Sequence, residues 1–178
     1  MVANFIILIV QLLVLAMVLF MIHWHIVALT SVPWVRTPRW KTKKILQFAD
    51  LKADERVVDF GSGDGSVVID AARDFGAVGV GLETQFALVW FARLRVRFLG
   101  LTERIRFIRG DMFRTKMPDA DLIYCYLFPE LNASLEPILK SHYPSGTRVV
   151  SRTFAFKTLP LIRSEKIGSE TIFLYQIP

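Results

Sequence analysis

The sequence predicts an α/β chain: a doubly wound, mostly parallel sheet that closes on a C-terminal antiparallel hairpin and is preceded by one N-terminal transmembrane helix. Three observations predict it. No Lys, Arg, Asp or Glu occurs before Arg36, and residues 5–29 are almost wholly apolar. From Arg56 onward, short runs rich in Val and Ile alternate with longer stretches of helical periodicity, as parallel strands joined by helical crossovers do. After Phe154 that rhythm stops, and two strand-like runs follow with only a short polar stretch between them.

Residues 1–30 read as the anchor. Phe5 to Leu29 is apolar apart from Gln11, His23, Trp24 and His25, and is long enough to cross a hydrocarbon layer of about 30 Å as a helix. A cleaved signal peptide is disfavoured, because no positive charge precedes the run, the run is too long and no small-residue cleavage site closes it. Arg36, Arg39, Lys41, Lys43 and Lys44 follow with no acid until Asp50. That charge bias places the C-terminal domain of a single-pass membrane protein on the cytoplasmic side, or on the matrix side in a mitochondrion. Trp24, Trp34 and Trp40 suit the interfacial belt, though Trp40 equally suits the apolar face of the next helix. Residues 31–50 form a linker and a short amphipathic helix, with Thr37 as N-cap, Pro38 at the first helical position, and Trp40, Ile45, Phe48 and Ala49 at near-helical spacing. Its lysines suit lipid phosphates and plain solvent alike.

Residues 51–178 read as one domain of catalytic size. Strands are predicted over Arg56–Phe60, Ala77–Glu83, Ile105–Arg109, Asp121–Leu127 and Thr147–Phe154. Helices fall between them: Ser66–Phe75 closed by Gly76, Gln85–Leu99 closed by Gly100, and Ser134–His142 with Pro137 in its first turn. The hairpin runs over Leu159–Glu165 and Thr171–Gln176. The hydrophobic fraction of 53% and mean hydropathy of +0.41 exceed what such a domain needs, and the excess is the N-terminal segment. The net charge of +6 therefore belongs to residues 36–178 and favours an anionic membrane surface or an acidic partner, without being a nucleic-acid signature. The lone cysteine, Cys125, forms no internal disulfide and suits a buried, reduced thiol. No metal site is expected.

The chemistry concentrates at Val57–Gly65, reading VVDFGSGDG. A strand ends in an acid, Asp59, and enters a glycine-rich turn before a helix. Gly61, Gly63 and Gly65, with Ser62 and Asp64 between them, bring backbone N–H groups close to a ligand. The dinucleotide fingerprint needs a glycine where Ser66 stands, so the pattern is GxGxG rather than GxGxxG. Two further acids end the next strands, Glu83 and Asp111. A pyrophosphate is a poor neighbour for Asp59 and Asp64, whereas a ligand with an ammonium group, a ribose diol and an adenine suits the set. S-adenosylmethionine is such a ligand, with Glu83 accepting its ribose hydroxyls and Asp111 its adenine amino group. Taken singly, Glu83 also suits a helix N-terminal charge and Asp111 a turn former. Asp59 is the harder to explain otherwise, since a carboxylate ending an apolar strand requires a partner.

The GxGxG loop, Glu83, Asp111 and the turn Pro144-Ser145-Gly146 before the fifth strand resemble a class I (seven-β-strand) S-adenosylmethionine-dependent methyltransferase, of Rossmann-like fold. The apolar segment, Pro33-Trp34-Val35-Arg36-Thr37-Pro38, DFGSGDG, LVWFARLRVRFLG at Leu88–Gly100 and TRVVSRTFAF at Thr147–Phe156 are similar to the small membrane-anchored protein-lysine methyltransferases that modify the ATP synthase c-ring protein and the adenine nucleotide translocase. The resemblance implies S-adenosylmethionine as cofactor, held by Asp59, Gly61, Ser62, Gly63, Asp64, Gly65, Glu83, Asp111 and the neighbouring Met112. It also implies a protein substrate, membrane proteins included, and a lipid bilayer met through residues 5–29. Phe156 is followed by Lys157-Thr158-Leu159-Pro160, where members of the family often carry a proline and a tryptophan. Lysine specificity is thereby less firmly implied than methyl transfer.

The acceptor pocket is expected where the chain leaves the fourth strand, with Tyr126 and Glu130 as candidate catalytic residues. Tyr124 and Tyr126 also alternate as strand residues packing against helices do, and His142 reads as surface. Arg93, Arg95, Arg97, Arg104, Arg106 and Arg109 make mid-chain basic and keep RNA or small-molecule methylation as the alternative. Nucleic acid is disfavoured by the lack of an evident aromatic-and-basic platform and by the anchor. A non-catalytic, membrane-tethered binding protein is the alternative of another class.

Overall fold

The computed structural model describes residues 2–30 and 34–178, with side chains at 4–22 and from 34 onward. The role expected of Trp24 and the start of the Pro33–Pro38 stretch lie outside the described residues. The chain divides into two compact units, Met1–Trp34 and Val35–Pro178. The first holds helix α1 (Val2–Thr30). Its stretch Asn4–Ile22, of 19 residues, is long and apolar enough to cross a membrane.

The second unit is a seven-stranded mixed sheet with helices on both faces. In chain order it contains α2 (Arg39–Phe48), β1 (Arg56–Phe60), α3 (Ser66–Phe75), β2 (Val78–Glu83), α4 (Phe86–Phe98), β3 (Ile105–Arg109), β4 (Leu122–Cys125), α5 (Pro129–His142), β5 (Arg148–Arg152), β6 (Leu161–Ile167) and β7 (Glu170–Gln176). The strand order is β3-β2-β1-β4-β5-β7-β6. β1 to β5 pair in parallel, while β7 inserts antiparallel between β5 and β6. The order reverses at the β1/β4 boundary, the position where open α/β sheets take ligands at their strand carboxyl ends.

Burial explains the layers. Ile45, Leu46, Val67 and Ala71 of α2 and α3 pack on Val57, Leu122, Tyr124 and Val150 of one sheet face, and Val89, Ala92 and Val96 extend that layer through α4. Leu135 and Leu139 of α5 cover the opposite face over Val58, Phe60, Ile123 and Val149. Cys125 is buried and free, and burial pushes its thiol pKa up.

Several boundaries differ from the sequence reading, and β4 and β5 each end two residues earlier than expected, at Cys125 and Arg152. α5 begins at Pro129 rather than near Ser134, because Pro129 takes the first helical positions after an extended Phe128, which puts Pro137 inside the helix. Pro38, not Thr37, is the N-cap of α2, and the Thr37 hydroxyl instead accepts from Arg152 Nη1 at 2.8 Å. The hairpin is tighter than expected, with β6 and β7 joined through Gly168 and Ser169 and Gly168 at φ +68°.

Candidate active site

The glycine turn is fixed by the backbone. The N–H groups of Gly61 and Ser62 both donate to the Leu82 carbonyl, at 2.9 and 3.0 Å, and Gly65 N–H donates to the Ser62 carbonyl at 2.8 Å. Gly61, Gly63 and Gly65 have φ of +76°, +53° and +75°, a region that L side chains rarely occupy. Gly65 is also the N-cap of α3, and a Cβ there would run into the Phe107 ring and approach Ala92. Loop, β2, β3 and α4 therefore meet without spare volume.

Asp59, next to last in β1, is buried, and its carboxyl pKa is pushed well up by burial first, then by the neighbouring Glu83 and Asp64; no cation or hydrogen bond among the described residues offsets this. Glu83 ends β2, also buried, and accepts from Gly63 N–H and Gln85 N–H, each at 2.9 Å. It thus ties the glycine turn to the start of α4. The Asp64 carboxylate turns elsewhere. It accepts from Arg95 Nη1 at 2.5 Å and Ser66 Oγ at 2.6 Å, with Arg36 Nε at 3.4 Å. Asp111 follows β3 half-exposed, caps its own turn by accepting from Phe113 N–H at 3.0 Å, and has Met112 beside it packed against the core.

On the other side of the switch point, Tyr126 lies one residue past β4, and the Arg152 guanidinium stacks on its ring at 3.9 Å. Arg152 ends β5, is 4% exposed and pairs with Glu170 at 2.8 Å, which in turn binds Lys41 at 2.5 Å. Glu130 stands exposed in the first turn of α5. The structure thus gathers Asp59, Ser62, Asp64 and Glu83 about the glycine turn, attaches Tyr126 to Arg152, and leaves Glu130 toward solvent.

Besides Tyr124 Oη within β4, three buried polar atoms have no hydrogen-bond partner among the described residues: Ser62 Oγ after β1, Asn132 Oδ1 in the first turns of α5, and Thr153 Oγ1 after β5. Thr153 is also a β-branched residue at φ +71°, a conformation of appreciable cost. All three belong to segments that follow the carboxyl ends of the central strands. Buried orphan groups and local strain of this kind cluster at functional sites.

Sequence reasoning missed Arg36, Thr37, Arg95, Asn132, Arg152 and Thr153. Arg152 was within reach, since a charge ending an apolar strand requires a partner as much as Asp59 does. The others depend on contacts across more than 15 residues.

The ANTKMT methyltransferase domain matches residues 59–163 of the chain. A protein-lysine N-methyltransferase of Saccharolobus islandicus (strain REY15A) is 32% identical over 151 residues, covering 82% of this chain and 94% of that protein. A lysine N-methyltransferase of Xenopus laevis, named for its action on the ATP synthase, is 28% identical over 82% of this chain, and the match spans 63% of the frog protein, less than two thirds of its length. Among solved structures, an RNA methyltransferase from Salinibacter ruber in complex with S-adenosyl-L-homocysteine superposes with a TM-score of 0.78 at 35% identity, over 81% of this chain and 94% of that one.

Proposed function

We propose that this chain, which belongs to the ANTKMT methyltransferase family and is an S-adenosylmethionine-dependent methyltransferase, transfers a methyl group to the side-chain amine of a lysine in a protein at a membrane, to which α1 anchors it. The observation that carries the site assignment is the buried, uncompensated Asp59 beside Glu83 at the glycine turn. The residues fit the cofactor. Asp59 faces its cationic methionine end, Glu83 its ribose, and Asp111 and Met112 its adenine. Asp64 serves differently, as the point where Arg95 and Arg36 clamp the loop.

The bound cofactor supplies an electrophilic methyl on a sulfonium. The chain's own contribution is positioning and exclusion of water. A lysine must arrive as the free amine, and burial disfavours its ammonium form. Arg152 beneath Tyr126 adds a positive charge that disfavours it further, though Glu170 tempers that field. Tyr126, Asn132 Oδ1 and Thr153 Oγ1 offer oxygens to orient the amine, and Glu130, at the exposed rim, takes up the released proton. The relatives named as protein-lysine methyltransferases support a lysine acceptor. The apolar stretch Asn4–Ile22 supports the membrane, and the charge bias after it supports a domain on the cytoplasmic or matrix side.

RNA methylation is the second reading, favoured by the likeness to the Salinibacter ruber RNA methyltransferase. Purified full chain with methyl-labelled cofactor separates the two. Label entering membrane protein is expected, and label entering RNA alone would overturn the proposal.

A further inference from the structure

Helix α4 buries Val89, Ala92 and Val96 against α3 and β3, keeps Leu88 and Leu94 half-buried, and turns its four aromatic residues to water. Phe86 is 64% exposed, Trp90 58%, Phe91 46% and Phe98 82%. Together these rings leave on the order of 500 Å² of aromatic surface solvated, an extent that marks an interaction surface. Arg93 and Arg97 stand among them, exposed; Arg93 Nη2 donates to the Phe107 carbonyl at 2.8 Å, and no ion pair to either arginine is formed among the described residues. The helix contains no acid. Arg109, at the end of the adjoining edge strand, stacks against Phe86 at 5.6 Å and adds to the positive field.

We propose that this face of α4 lies on the surface of an anionic lipid bilayer, with the four rings at the acyl boundary and Arg93 and Arg97 at the phosphates. Aromatic residues interleaved with arginine, on one helix and without acids, are what interfacial helices present. The charge is complementary to anionic headgroups and unsuited to a neutral surface. A second basic and aromatic face lies in the same helical layer, because α2 exposes Trp40, Lys43 and Lys44 on the side of the sheet that α4 also covers. A single-stranded nucleic acid fits less well, since such strands follow grooves and this is a convex helix. The placement matters for the site: Phe86 begins α4 three residues after Glu83, so a bilayer held there lies close to the mouth of the cofactor site.

The inference rests on the membrane reading for the presence of lipid, and the test separates the two. The full chain, with Trp24, Trp34 and Trp40 replaced by Phe so that Trp90 alone fluoresces, is reconstituted into nanodiscs carrying lipid brominated just below the headgroup. Quenching of Trp90 by about twofold in discs rich in phosphatidylglycerol is expected, falling away in pure phosphatidylcholine and in the Arg93→Glu/Arg97→Glu variant. Unquenched Trp90 would overturn the inference, as would quenching indifferent to lipid charge or to the two arginines. A shift of Trp90 emission produced by a mixed-sequence RNA oligonucleotide, with unquenched Trp90 in discs, assigns the face to RNA and also overturns it. Resistance to alkaline carbonate extraction reports on α1 separately: a chain that is extracted while Trp90 is quenched loses the anchor and keeps the α4 contact.

Discussion

Asp59 carries opposite consequences for stability and for binding. Its folded pKa is raised above the unfolded value of about 3.9 by burial, Glu83 and Asp64, so the ligand-free domain loses stability as pH rises from that value through the raised one. Asp59→Asn removes the buried charge. Thermal melts from pH 4 to 8 should show the variant at least as stable as wild type at neutral pH and with a flatter profile. Calorimetry should show its cofactor affinity reduced about a hundredfold. Because a cationic ligand favours the carboxylate, wild-type affinity should rise with pH over the same interval. An Asn variant that binds normally would remove Asp59 from the site. The buried, unpaired environment of Asp59 was legible in the sequence, because an acid near the end of an apolar strand before glycines has few explanations. That of Asp64 was not. Its neighbour in sequence is the glycine loop, but its partner in space is Arg95, 31 residues away.

At the scale of elements, the turn into α3 and the ion-paired cluster under β5 carry the site. Gly65→Ala forces a Cβ into the Phe107 ring at a φ of +75°, and chemical denaturation should show a loss of about 3 kcal/mol. Glu170 has its carboxyl pKa lowered by hydrogen bonding to Arg152 and then Lys41, so its contribution is complete above the unfolded pKa of about 4.3 and is lost as pH falls through the lowered folded value. Glu170→Gln should cost about 3 kcal/mol at pH 7 by stranding two buried cations, and the gap to wild type should close on acidification below pH ~4. Equal stabilities at pH 7 would contradict the cluster. The alternation of strands and helices was readable from apolar periodicity, and β1 and β3 fall where it places them. The start of α5 was not, because two prolines compete for the first turn and packing of Leu135 and Leu139 decides between them. The basic run after α1 also divides in space: Arg36, Arg39 and Lys41 bind Asp64, Asp74 and Glu170, while Lys43 and Lys44 stay exposed.

For the whole molecule, the apolar helix, the helical layer and the methyltransferase site belong to one proposed arrangement, a catalytic domain kept beside a bilayer and working on proteins found there. In intact cells the domain should resist protease added from outside, and cleavage of it there would reverse the proposed orientation. The class of enzyme was legible because the cofactor loop is local in sequence. The acceptor was not, because the pocket proposed for it draws on the segments after β4 and β5, which no short motif spans. The most direct measurement of the central claim is amino-acid analysis of membrane protein labelled by the purified full chain and methyl-labelled cofactor, with Asp59→Asn in parallel. The account predicts label in methyllysine with wild type and none with the variant. Label confined to nucleosides, or to residues other than lysine, would contradict it.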